Sequence, residues 1–261
     1  MPRTTPRDDD PPLTTRLLVE GFGAFALTFV AAGGDVMARI SGDEVTAMAR
    51  AIAPALVVMA LVYALGDRSG AHFNPVVTSA FAIRRLFPAR LVPAYVLVQL
   101  AGATVAALLL AALFGSAVEA GVTRPRLVSP EVAVIIEAIL TLFLVTVILG
   151  TADRARIVGP NAALAVGATI ALCGLIALPI EGASMNPARS TGPALVAGDL
   201  STLWVYWVGP FLGAMGAVLL EGMIRGPARV RDGKAREAAA GGDEESAVGG
   251  DEESARAPMG T

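Results

Sequence analysis

The stretch EGASMNPARS, residues 181–190, interrupts an apolar run with an asparagine, a proline and an arginine. Half a chain earlier, SGAHFNPVVT, residues 69–78, makes the same interruption. Asn before Pro disfavours the α region at the Asn and leaves Pro as a natural first helical residue, so each pair begins a helix. From Asn74 to about Arg84, and from Asn186 to about Val196, each segment holds roughly ten residues. That is about 15 Å of helix, half the apolar thickness of a bilayer. Two half-helices of that length meet head to head at the midplane. The non-helical backbone expected to lead into them, residues 66–73 and 180–185, is tolerated at such depth only where it lines a water-filled path. The pattern predicts a pore.

Composition agrees with a membrane setting. The 261 residues are 54% hydrophobic and only 16% charged, with mean hydropathy +0.64, too apolar for an ordinary soluble domain. Six apolar runs have spanning length: roughly 17–38, 48–65, 91–114, 130–150, 160–179 and 203–224. Frequent glycines, among them Gly21, Gly23, Gly102, Gly213 and Gly216, let helices approach closely where lipid offers no hydrophobic drive. Residues 1–15 are rich in Pro and Asp and read as a disordered tail, with no signal peptide. Residues 226–261 repeat GGDEESA and read as a second, acidic disordered tail. The net charge of −3 is concentrated locally and identifies no nucleic-acid partner.

Orientation follows from the arginines. Arg16, Arg68, Arg84, Arg85, Arg90, Arg154, Arg156 and Arg225 flank one side of the spans, whereas the other side holds Arg39, Arg50, Arg124 and Arg126. The positive-inside rule makes both termini cytoplasmic, in a multi-pass protein of the cell membrane (plasma or inner membrane).

The chain is duplicated. Glu20, Asn74 and Tyr95 recur as Glu137, Asn186 and Tyr206, at offsets of 117, 112 and 111. Three spans per half is an odd number, so the repeats, about 16–115 and 130–225, have opposite topology. Each half-helix N-terminus then brings about half a positive charge and unpaired N–H groups to the midplane. Asn74 and Asn186 add side-chain donors there. A single file of water must turn its oxygens toward them, while cations and protons meet a positive field. Arg189, three residues after Asn186, faces the same path, because a membrane-buried Arg needs a function or a partner.

Over residues 16–225, GAHFNPVVT, GASMNPARS, the two glutamates and Gln99 before Gly102 resemble the aquaporin, or major intrinsic protein, family. The resemblance implies an all-α membrane fold of six transmembrane helices and two re-entrant half-helices, assembled as a homotetramer with one pore per subunit. It implies that Asn74, Pro75, Val76, Asn186, Pro187 and Ala188 form the midplane constriction, and that Glu20 and Glu137 are buried to hold loop N–H groups. By the family's spacing the selectivity filter falls on Pro54, Gly174, Ala183 and Arg189, and His72 lines the pore. Water-conducting relatives place an aromatic ring and a histidine at the first two of these positions. Pro, Gly and Ala in place of bulky groups predict a wider opening with one strong donor, passing glycerol-like and urea-like solutes as well as water. Ser190, Ala194, Tyr206 and Trp207 instead resemble the strictly water-selective branch, which stays open as an alternative.

Two departures bear on selectivity. Val76 replaces the usual alanine and is expected to tighten or tilt the constriction, and Glu181 is expected at the outer vestibule near Arg189. A secondary transporter, with Glu20 and Glu137 as coupling sites, is disfavoured because opposed positive helix ends repel a midplane cation. An enzyme is not expected, since no nucleophile, base and acid constellation is apparent. Neither is a cofactor or metal, since His72 is the single histidine and Cys173 the single cysteine. Cys173 is read as a small packed hydrophobe.

Overall fold

The computed structural model describes residues 11–152, 156–157 and 159–226. Most of the expected tails, residues 1–10 and 227–261, lies outside the described residues. Among the described residues the helices are α1 (Leu13–Ser41), α2 (Ala47–Ser69), α3 (Pro75–Ile83), α4 (Val92–Phe114), α5 (Pro130–Thr151), α6 (Pro160–Glu181), α7 (Pro187–Ala197) and α8 (Val205–Arg225), with 3-10 turns at Ala89–Leu91 and Gly115–Gly121. Six of them, all but α3 and α7, are long and apolar enough to cross a bilayer. The protein is a multi-pass membrane protein.

Two boundaries differ from expectation. Helix α1 begins at Leu13, so the last residues assigned to the N-terminal tail are helical. Pro12 sits just outside the helix and Leu13–Thr15 meet the apolar run directly, which carries the helix outward by one turn. The irregular approaches to the half-helices are also shorter than 66–73 and 180–185, because α2 continues to Ser69 and α6 to Glu181. Each long helix stops at a glycine, Gly70 at φ 102° and Gly182 at φ 101°, a backbone state that glycine adopts without a Cβ clash.

The half-helices α3 and α7 contain 9 and 11 residues, about 14 and 16 Å, which together span one hydrocarbon thickness. The repeat is visible in the packing. Helix α1 packs on α4 and α2 as α5 packs on α8 and α6, and each half-helix also packs against the last span of the other half, α3 on α8 and α7 on α4. The tightest crossings use glycine. A Cβ on Gly102 would fall 2.0 Å from the Gly21 carbonyl oxygen, and one on Gly213 2.2 Å from that of Ala138. Close backbone contact therefore joins α1 to α4 and α5 to α8. Outside this core, Leu97, Leu108, Ile135, Ile176, Leu212 and Leu219 remain exposed, an apolar belt that suits lipid or a neighbouring subunit.

Candidate functional site

The two interruptions fold alike. After each terminating glycine comes a left-handed pair, Ala71 (φ 51°) and Phe73 (φ 49°) in one loop, Ala183 (φ 46°) and Met185 (φ 53°) in the other. Non-glycine residues in this region cost about 1–2 kcal/mol each, so something must hold them. Glu20 does so in the first half. Its Oε1 accepts the His72 N–H (3.0 Å) and the Ser69 hydroxyl (2.7 Å), and its Oε2 accepts the Phe73 N–H (2.7 Å) and Gln99 Nε2 (2.8 Å). Glu137 does so in the second half, accepting the Ser184 and Met185 N–H groups at 2.5 and 2.7 Å. Both carboxylates are fully buried.

The asparagines follow in extended backbone and cap their half-helices. Asn74 Oδ1 accepts the Val76 N–H at 3.0 Å, and Asn186 Oδ1 accepts that of Ala188 at 3.0 Å. Their amide nitrogens cross to the opposite loop: Asn74 Nδ2 donates to the Met185 carbonyl at 2.8 Å and Asn186 Nδ2 to the Phe73 carbonyl at 2.9 Å. A primary amide carries two N–H donors. One of them ties the loops together.

That passage is lined by His72, Asn74, Asn186 and Arg189, by both loops, and by Pro54, Gly174 and Ala183. Leu27, Val58, Val77, Leu144, Val166 and Ile170 form its apolar wall. The cavity offers about 70 Å³, room for about five to seven water molecules at about 10–15 Å³ each. An apolar wall facing a few donors lets water pass without binding it strongly. The His72 ring is fixed by Thr78 Oγ1 at 3.1 Å from Nδ1 and by stacking on Phe81 at 4.8 Å between centroids.

Several expectations need correction. Pro75, Val76, Pro187 and Ala188 do not line the passage. They are buried; Val76 and Val77 both belong to the hydrophobic core, and of the two Val77 also borders the passage. On so short a helix, one residue of rotation, about 100°, turns a side chain from passage to core. The substitution at 76 therefore bears on packing. Gly174 leaves less space than its missing side chain implies, because α2 has moved in: a Cβ there would lie 3.0 Å from the Ala51 carbonyl oxygen and 3.2 Å from the Ala51 Cα.

Glu181 is not in the outer vestibule. Its side chain is fully buried, with Oε1 accepting the Ala183 N–H at 2.9 Å and the Glu137 carboxyl beside it. Its position in the repeat explains this, since it replaces Ser69, whose hydroxyl donates to the other buried glutamate. Tyr95 and Tyr206 are likewise paired by the repeat, each hydroxyl donating to the last carbonyl of a neighbouring helix, that of Ser69 or Glu181. Ser190, Ala194, Tyr206 and Trp207 all stand outside the lining. Cys173 is buried, as a small hydrophobe would be.

Arg189 itself is held by two acceptors. Nη1 donates to the Gly121 carbonyl at 3.1 Å, and Nη2 reaches Asp35 Oδ2 at 3.4 Å. The second partner was missed in the sequence, as was Arg50, whose Nη1 donates to Asp35 Oδ1 at 3.0 Å. Signals existed for both. Asp35 is the one acid besides Glu20 in the first span, and a membrane-embedded acid calls for a partner. Arg50 precedes the filter position Pro54 by four residues, the spacing of one helix face.

Comparison with known proteins agrees with this geometry. A family model described as Major intrinsic protein matches residues 10–220. Aquaporin NIP1-1 of Zea mays is 45% identical over 214 residues, covering 82% of this chain and 76% of that protein. Aquaporin NIP1-1 of Oryza sativa subsp. japonica is 44% identical over 214 residues, covering 82% and 75%. The solved aquaglyceroporin of Plasmodium falciparum superposes with a TM-score of 0.71 at 23% identity, covering 80% of this chain and 95% of that one; it shares the fold.

Proposed function

The chain belongs to the major intrinsic protein family, and from that premise we propose how its residues pass water and small uncharged solutes across a membrane. Flow is passive and needs no catalysis, cofactor or metal. The reciprocal bonds from Asn74 to Met185 and from Asn186 to Phe73 carry the reading. They hold two helix N-termini together at the middle of an apolar passage. Water entering there accepts from the free amide N–H groups and turns its hydrogens away on both sides, which breaks a proton-conducting chain. The two helix ends repel cations at the same point.

The role of each residue follows. Asn74 and Asn186 orient the file. Arg189, Pro54, Gly174 and Ala183 set which solutes enter, and His72 adds a polar point to the wall. Glu20 and Glu137 are structural. Each already accepts loop N–H groups, which suits a clamp better than a coupling-ion site. The arginine distribution puts both termini in the cytoplasm of a cell-membrane protein. The exposed apolar belt fits a homotetramer with a separate pore in each subunit, and residues 16–225 form the channel domain.

Stopped-flow measurements on proteoliposomes test the proposal. Raised permeability to water, and to glycerol or urea, is expected without proton conductance. Rates equal to those of empty vesicles for all three would refute it.

A further inference from the structure

Arg50 occupies a position that the filter account leaves unused. It borders both the inner passage and the outer vestibule, a basin of about 470 Å³ whose walls also include Asp35, Arg39, Asp43, Glu119 and Arg124. Among the described residues no other lines both spaces. A solute moving between them therefore passes the Arg50 side chain.

The surroundings prepare this side chain to meet a solute. It is largely buried, with 16% of its surface exposed. Its stem packs beside Gly34, where an added Cβ would stand 3.4 Å from Arg50 Cγ, close to ordinary contact. Nη1 donates to Asp35, and the Nε is shut away from any passing solute, which leaves the outer N–H groups of the fork to meet one. A guanidinium has five N–H donors in a planar fork, so donors remain for an incoming oxygen. Pro54, four residues on, lacks an N–H and leaves the Arg50 carbonyl without its helical donor.

Asp35 completes the arrangement. Its two oxygens face different arginines, Oδ1 toward Arg50 at 3.0 Å and Oδ2 toward Arg189 at 3.4 Å. One carboxylate between two guanidiniums leaves a net positive charge, which keeps the entrance hostile to cations while supplying many donors. The geometry points to Arg50 as a second selectivity-determining guanidinium, paired with Arg189 through Asp35, that receives the carbonyl or hydroxyl oxygen of small neutral solutes before they reach the filter. This inference rests on the channel reading above and deepens it.

The test compares urea and glycerol permeability with water permeability for the full chain in proteoliposomes, at matched protein content. Arg50→Met keeps a stem of similar bulk and removes the donors. It is expected to lower both solute-to-water ratios by about fivefold, the equivalent of roughly one hydrogen bond, with water flux preserved. Arg50→Gln, the fallback should the methionine variant fail to insert, retains one amide donor and is expected to shift the ratios in the same direction by less. Arg39→Met alters an arginine of the vestibule alone and is expected to leave the ratios unchanged. Unchanged ratios in the Arg50 variants, or an equal shift in Arg39→Met, overturn the inference. An unaltered protein that passes water but neither solute overturns it while leaving the channel intact, and one that passes nothing overturns both.

Discussion

Asn74 and Asn186 each donate a side-chain hydrogen bond to the carbonyl that immediately precedes the other, at Met185 and Phe73, 2.8 and 2.9 Å away. The bond pair is reciprocal, so it joins the two halves of the chain at this point. Each asparagine is at once a helix cap and a cross-strut, and in the proposed mechanism also a donor to the path. Separating these duties needs substitutions that remove one at a time.

Asn186→Asp keeps the oxygen that caps α7 and removes the Nδ2 donor. It is expected to add a negative charge at the midplane and raise cation leakage, read with a pH-sensitive dye inside vesicles. Asn186→Ala removes the cap as well and is expected to cost about 2 kcal/mol, combining a lost cap with a lost buried hydrogen bond. A detergent melting curve that matches the unaltered protein would contradict this.

Glu20→Gln replaces a carboxylate that accepts from four donors with an amide carrying donors of its own. At least one N–H then faces another N–H in a fully buried site. The expected loss is about 2–3 kcal/mol, visible as aggregation on size-exclusion chromatography. A transporter using Glu20 as its ion site would instead remain folded and lose only coupling.

Gly174→Ala tests whether that position is empty filter space or a helix contact. The new methyl would sit 3.0 Å from the Ala51 carbonyl oxygen, so α2 must move outward. Overpacking of this kind costs about 1–3 kcal/mol. A lower melting temperature is expected; full stability with only a narrower solute range would mean that the side chain points into free space.

The loop between α7 and α8, residues 198–204, should respond to acid. Asp199 accepts from the Ser201 hydroxyl at 2.6 Å and from Arg124 Nε at 2.7 Å, and these donors lower its pKa to about 2. A depressed folded pKa adds stability that is present above the unfolded value, about 3.9, and disappears as pH falls through the folded one. Loosening of this loop is therefore expected between about pH 4 and pH 2. Asp199→Asn should abolish that dependence in limited proteolysis of the loop, and an unaltered acid profile in this variant would reassign it. Because the pair is partly exposed, salt should weaken it.

The repeated Asn-Pro stretches, the six apolar runs and the matched glutamates were enough to specify the inverted repeat and the half-helices. Each of these signals is local. A proline after an asparagine restricts backbone wherever it lies, and an apolar run of spanning length needs lipid whatever packs beside it. The tertiary structure alone decided which faces meet the passage. Val77 lines it and Val76 does not because a helix rotation of one residue cannot be placed until α3 docks on α4 and α8. Ala51 fills the space beside Gly174 for a similar reason, since the approach of α2 to α6 is set by packing along their whole lengths. The union of Asp35, Arg50 and Arg189 joins residues up to 154 positions apart. Such a cluster exists only when three helices converge, and no spacing along the chain encodes it.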